Sequence, residues 1–278
     1  MGISKPPISM TSQGNRRQRV VTAADRLEGA ASGHITVAPV RDVLGSEDID
    51  LAYAVQAELS ARRASAGARV VGRKVGLTSP AVQKQLGVDR PDFGVLFDDM
   101  AYGDGENVPI GGLLQPKIEA EVAFVLSKDL HGPLNIDVVR DAVDYAVAAL
   151  EIVDSRVENW DITIVDTIAD NGSSGFYVLG TNHVRLEKFD PKAVEMSMSI
   201  DGEVVSQGNG TACLGDPLKA LLWLARAAQE YGDPLRAGQI ILSGALGPMA
   251  PVEAGNTVRA ELSHLGSVSI TFTNEENA

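Results

Sequence analysis

PKIEAEVAFVL, residues 116–126, alternates along its whole length. Read as a strand, it points Ile118, Ala120, Val122 and Phe124 to one side and Lys117, Glu119, Glu121 and Ala123 to the other. The apolar set asks for a core. The opposite face carries two carboxylates two residues apart, roughly 6.6 Å at the backbone, so their side chains can converge on one ion. An ordinary solvent-facing strand edge shows the same E-x-E spacing, and the segment by itself leaves both readings open. AALEIVD (148–154) adds a third carboxylate, because Glu151 lies in an apolar run where a charge is costly unless paired or metal-bound. Three carboxylates without a histidine or cysteine partner form a hard, all-oxygen set, suited to Mg²⁺ or Mn²⁺ rather than zinc.

Outward from this strand, the pattern is helical toward the N-terminus and β-rich toward the C-terminus. Residues 1–20 read as a flexible, mildly basic extension, followed by a short helix over 22–31 with Thr22 and Asp25 in capping-box form. A stronger helix is expected over 47–64, capped by Ser46, with Leu51, Val55 and Leu59 stacked on one face. RVVGRKVGL (69–77) reads as a strand, and Ser79-Pro80 opens a short helix ending before Gly87. Asn135 caps a helix carrying Ile136, Val139, Val143 and Ala146, and 197–206 is a hairpin turning at Asp201-Gly202. Asp216-Pro217 opens a helix with Leu218, Leu221, Leu222 and Ala225, stopped at Gly232, and 239–244, 257–263 and 267–273 are strands. The sum is an α+β chain.

Composition narrows the function. The 278 residues carry 37 acidic against 24 basic side chains, a formal charge of −13, which argues against nucleic-acid and anionic-membrane surfaces. No apolar run reaches the ~20 residues of a membrane span. The first 20 residues lack the apolar core of a signal peptide, so a cytoplasmic location is expected. The single cysteine, Cys213, excludes an internal disulfide and reads as a small packed thiol. The four histidines lie far apart without ligand spacing.

Other candidates stay two-sided at this level. Lys74, among Val70, Val71, Val75 and Leu77, either snorkels to solvent or, if buried beside an anion, holds a substrate oxygen or relays a proton. Asp92 in PDFG reads as a turn residue before it reads as a base. NGSSG (171–175) suits a plain turn as well as a grip on a carboxylate. No nucleophile elbow and no phosphate loop is present.

Taken together, GRKVGLTSPAVQKQLGVDRPDFGVLFDDMAYGD, LQPKIEAEVAFVL, AALEIVDSR, IVDTIADNGSSGFYVLG, CLGDPLKALLWLAR and PLRAGQIILSGALGPM closely resemble the hydratase/decarboxylase branch of the fumarylacetoacetate hydrolase superfamily, over about residues 40–273. The resemblance implies an N-terminal α/β part (21–107) and a C-terminal mixed β-sandwich roll (108–278) that holds the catalytic residues. It implies Mg²⁺ or Mn²⁺ on Glu119, Glu121 and Glu151, with Lys74 and Asp92 as polar catalytic residues and Thr78 and Ser173 contacting the substrate's carboxylate. The implied reaction is hydration of 2-hydroxypenta-2,4-dienoate to 4-hydroxy-2-oxopentanoate in aromatic meta-cleavage catabolism. The expected assembly is a homo-oligomer, with association to a sister decarboxylase or a downstream aldolase as a further option. Decarboxylation of 4-oxalocrotonate, hydration of a seven-carbon dicarboxylate, and a non-catalytic subunit of a decarboxylase are the alternatives. PDFGVLF, WLAR and GALGPM resemble the hydratase more, and the intact glutamate triad speaks against a non-catalytic subunit.

Overall fold

Lys117–Leu126 is a strand, and both of its faces are covered. In the computed structural model, which describes residues 10–79, 83 and 90–274, the strands in chain order are β1 Val70–Gly76, β2 Asp92–Phe97, β3 Ala101–Tyr102, β4 Asn107–Pro109, β5 Lys117–Leu126, β6 Val143–Val153, β7 Ser174–Leu179, β8 Glu195–Ile200, β9 Glu203–Asn209, β10 Ile240–Ala245, β11 Ala250–Pro251, β12 Thr257–Leu262 and β13 Gly266–Thr273. An eight-stranded sheet runs β2-β1-β10-β5-β6-β7-β3, with β11 also on β5, and a five-stranded sheet runs β4-β13-β12-β8-β9. The fold is α+β, and the second sheet packs across β6 of the first.

The even-numbered face of β5 does what its alternation requires. Ile118, Val122 and Phe124 are fully buried in one core with Val258, Ile270 and Phe272 of the second sheet. Each such side chain contributes about 1.5–3 kcal/mol of burial. The odd-numbered face turns into a smaller interior, where Ala123 meets Val147, Ala149, Leu242, Val95 and Tyr177. That interior exists because the large sheet curls. β2 and the turn before β7 touch, although β1, β10, β5 and β6 lie between the two strands in the sheet. The Asn171 amide closes this seam, accepting from Val95 N–H at 2.7 Å and donating to Val95 O at 2.9 Å. Gly94 permits the approach, since a Cβ there would strike Asn171 O.

Several sequence expectations change. The helix at the N-terminus runs Met10–Gly33, so the latter half of the expected 1–20 extension is helical and the Thr22/Asp25 pair lies inside the helix. Val20, Ala23, Ala24, Leu27 and Ala30 bury one stripe at three- and four-residue spacing. Arg19 Nε anchors the helix by donating to Val43 O at 2.8 Å. The next long helix is Ile49–Ser65, capped by Asp48 rather than Ser46, because the Asp48 carboxylate accepts from Leu51 N–H at 3.0 Å. The helix after Asn135 ends at Ala142. Val143 and Ala146 belong instead to β6, which pairs with β5 from Val143↔Leu126 to Val153↔Lys117, and this long register outweighs the helical spacing. The expected boundary at 107/108 falls inside β4, and β1 and β2 share a sheet with β5, β6 and β10, so one sheet spans both expected parts. The helix expected from Ser79-Pro80 lies outside the described residues. The hairpin at Asp201-Gly202 and the helix Pro217–Glu230 capped by Asp216 stand as read.

Candidate active site

Strand register brings the three glutamates together. Glu119 on β5 lies directly opposite Glu151 on β6, and Glu121 follows two residues on along the same face. One carboxylate oxygen from each lies within 4.8 Å of the others. All three are buried, with Glu121 at 0% exposure. Gly244 N–H donates to Glu121 Oε2 at 2.7 Å, just where β10 slips register against β5. Glu121 Oε1 and both oxygens of Glu151 have no hydrogen-bond partner among the described residues.

Lys74 makes the only ion pair to this cluster among the described residues. It is 3% exposed, so it does not snorkel; its Nζ donates to Gly172 O at 3.0 Å and lies 3.2 Å from Glu151 Oε1. Burial opposes the ammonium, but the carboxylates of Glu151, Asp92, Glu119 and Glu121 outweigh it and raise its pKa. The carboxylates respond in the opposite sense. Burial raises Glu119, and burial together with the charges of Glu151 and Glu119 lifts Glu121 well above the usual range. Burial pushes Glu151 up to about 7, against the pull of Lys74. One lysine cannot neutralise three buried carboxylates, and unpartnered carboxylate oxygens in a dry interior are costly. The donor set, its convergence and its uncompensated charge all fit a hard divalent cation held by Glu119, Glu121 and Glu151.

Asp92 opens β2 instead of making a turn, paired with Gly76 of β1. Its Oδ2 accepts from Thr167 Oγ1 at 3.2 Å, its Oδ1 has no partner among the described residues, and burial raises its pKa against the opposing charge of Lys74. Gly76 makes room for it, since a Cβ there would strike the Asp92 carboxylate and approach Lys74 Nζ to 3.3 Å. Ser173 Oγ lies 3.4 Å from Thr167 Oγ1, and the buried Thr78 side chain packs against Gly244.

A cavity of about 210 Å³ joins these groups. Lys74, Thr78, Asp92, Glu119, Thr167 and Ser173 form its polar lining, and Leu77, Val153, Trp160, Ile162 and Met249 its apolar wall. All seven residues singled out from the sequence thus lie in or directly behind one site. Sequence reading missed Thr167, the Gly172 carbonyl and the Gly244 amide. Backbone groups carry no sequence signal, and Thr167 sits in a short helix, Ile164–Ala169, too brief to show a period. Lys117 was placed on the right face but given no role; its Nζ lies 4.2 Å from the centroid of the Trp160 ring, and it lines the cavity. Cys213 is buried and donates to Ser243 O, a packed thiol as read.

The fold agrees with comparison to known proteins. The chain belongs to the fumarylacetoacetate hydrolase family, whose C-terminal region matches residues 65–273. Among its relatives, the 2-keto-4-pentenoate hydratase of Burkholderia vietnamiensis is 53% identical over 256 residues, covering 91% of this chain and 97% of that protein. The TodF product hydratase of Pseudomonas putida strain F1 is 52% identical over 258 residues, covering 92% of this chain and 96% of that protein. The structure of 4-oxalocrotonate decarboxylase from Pseudomonas putida G7, complexed with magnesium and adipate, superposes with a TM-score of 0.89 at 34% identity, covering 96% of this chain and 100% of that one.

Proposed function

We propose that this protein is a divalent-metal-dependent hydro-lyase that adds water to 2-hydroxypenta-2,4-dienoate (2-keto-4-pentenoate), giving 4-hydroxy-2-oxopentanoate in aromatic meta-cleavage catabolism. The observation that carries it is the convergence of Glu119, Glu121 and Glu151, with oxygens within 4.8 Å of one another, beside a buried Lys74. Relatives more than 50% identical over nine-tenths of the chain are named 2-keto-4-pentenoate hydratase.

Glu119, Glu121 and Glu151 hold the ion, Mg²⁺ or alternatively Mn²⁺. When bound, it supplies Lewis-acid charge against the developing negative charge of a 2-oxo acid. The chain's own groups do the rest. Thr78 and Ser173 offer hydroxyls to the carboxylate, and Lys74, held by Gly172 O, presents its ammonium to the 2-oxygen. The enol proton leaves and C5 is protonated, which turns the dienol into an α,β-unsaturated ketone. Water then adds at C4, its oxygen bonding to that carbon and a proton arriving at C3. Asp92 is the proton carrier: it lines the cavity, its Oδ1 has no partner among the described residues, and its raised pKa brings it closer to working pH. The apolar wall formed by Leu77, Val153 and Met249 suits the uncharged C4–C5 end.

The test supplies purified protein and Mg²⁺ with freshly generated 2-hydroxypentadienoate and, separately, with 4-oxalocrotonate. Loss of dienol absorbance without release of CO₂ is the expected result. CO₂ release from 4-oxalocrotonate, without hydration of the pentadienoate, overturns the reading in favour of a decarboxylase. Assembly as a homo-oligomer, contact with a sister decarboxylase or downstream aldolase, and a cytoplasmic location belong to the same proposal. No described helix is long and apolar enough to cross a membrane.

A further inference from the structure

The turn that holds Lys74 is strained, and a partly buried arginine outside the cavity lining spans it. Asn171, Gly172 and Ser173 have φ of 56°, 64° and 53°, three successive left-handed residues of which only one is glycine. Gly172 O accepts from Lys74 Nζ, and Ser173 Oγ faces Thr167 and through it Asp92. A conformation of this kind persists only where its surroundings over-determine it. On one side the Asn171 amide is bonded to β2. On the other, Arg156 grips both ends. Its Nε donates to Asp170 Oδ1 at 2.5 Å, one terminal nitrogen to Asp170 O at 2.6 Å, the other to Ser174 O at 2.8 Å, and its own N–H to Asp170 Oδ2 at 3.0 Å. Asp170 is buried, with a side-chain exposure of 2%, and Arg156 is partly buried at 14%.

We propose that Arg156, with Asp170, is a positioning residue for the reaction: its planar guanidinium fixes the distance across the Asp170–Ser174 turn and so sets where Gly172 O aims Lys74. This rests on the role given to Lys74 above. A guanidinium suits the task because its donors form a rigid fork that reaches a carboxylate and two backbone carbonyls at once, which a lysine ammonium cannot do. The residue touches no described group of the substrate cavity, so its contribution falls on geometry and not on binding.

Arg156→Lys keeps the charge beside buried Asp170 but removes the fork. In the Mg²⁺-loaded enzyme it is expected to lower kcat about ten- to a hundredfold, the cost of a small misplacement, while KM stays within about twofold. Hydrogen exchange followed by mass spectrometry should show residues 170–175 exchanging about tenfold faster, with the rest of the sheet unchanged. Arg156→Ala should lose more activity and regain part of it in millimolar guanidinium, but not in equal tetramethylammonium. A cavity of about 390 Å³ lined by Arg156, Asp170, Asn171 and Ser174 gives the small cation a way in. Unchanged kcat in Arg156→Lys despite faster exchange overturns the proposal, and so does unchanged exchange across the turn. Should Arg156→Ala fail to fold, Arg156→Lys still decides. A wild-type protein that does not hydrate the dienoate overturns the proposed function instead, and the exchange comparison then still tests the clamp.

Discussion

Replacing Glu151 by Gln should strengthen the metal-free protein while destroying its response to metal. Glu151 is 1% exposed, and burial, with the charge of Glu119 added, raises its pKa from 4.5 to about 7 against the pull of Lys74. A raised carboxylate means that the folded state binds the proton more tightly than the unfolded chain. Its ionisation therefore costs stability as pH climbs from 4.5 toward 7, and the full penalty is present above pH 7. At about 1.4 kcal/mol per unit, that penalty is about 3 kcal/mol at pH 8. Gln has the same shape and no charge. Lys74 loses its ion pair in the exchange but keeps Gly172 O at 3.0 Å and the nearby charge of Asp92, which returns part of the gain. A net stabilisation of about 1–2 kcal/mol remains, a rise of about 2–6 °C in Tm for a chain of this size. With Mg²⁺ at a hundred times its Kd, the wild type should gain about 2.7 kcal/mol and overtake the variant, which gains little. Thermal unfolding at pH 8, once with chelator and once with Mg²⁺, reads both arms. Destabilisation of the variant in chelator by more than about 1 kcal/mol, or equal stabilisation of both proteins by Mg²⁺, refutes the reasoning.

Other perturbations follow from the same geometry. Glu119→Gln and Glu121→Gln should abolish turnover with the circular dichroism of the fold intact; full activity of either in chelated buffer removes the metal from the reaction. Lys74→Met should cut kcat by at least about a hundredfold, and an unchanged rate at saturating substrate would exclude Lys74 from the chemistry. Because Glu151 holds its proton below about pH 7, Mg²⁺ affinity should fall about fivefold between pH 7 and pH 6, as titration calorimetry would show. Gly76→Ala forces a methyl against the Asp92 carboxylate, and should cost about 1–3 kcal/mol of stability together with most of the activity; a fully active, equally stable variant would mean that Asp92 has room to move.

Much of this molecule is legible in local pattern. The alternation of 117–126 determined one strand, its core face and the face that carries Glu119 and Glu121, because side chains on a strand alternate whatever the strand is paired with. The caps at Asn135 and Asp216 and the Asp201-Gly202 turn are equally local. Glu151 is singled out by its apolar neighbours and joins the other two as an all-oxygen donor set, which the likeness to a family strengthens.

Pairing and curvature lay beyond local pattern. Opposing Glu119 to Glu151 depends on the register of β5 and β6, and a shift of one residue would send the pair to opposite faces. The same register claimed Val143 and Ala146 from the helix that their spacing suggested. Only the curl of the large sheet brings β2 to the Asn171–Ser173 turn and so encloses Lys74, Asp92 and Ser173 around one cavity. Sequence alone nominated the residues to which the chemistry is assigned and fixed the strand face that two of them share. The tertiary structure alone decided that they meet, that they are buried, and that an arginine behind the site grips the turn holding Lys74. Distances between residues far apart in the chain are set by packing and hydrogen-bond register, and neither is written in any short stretch of it.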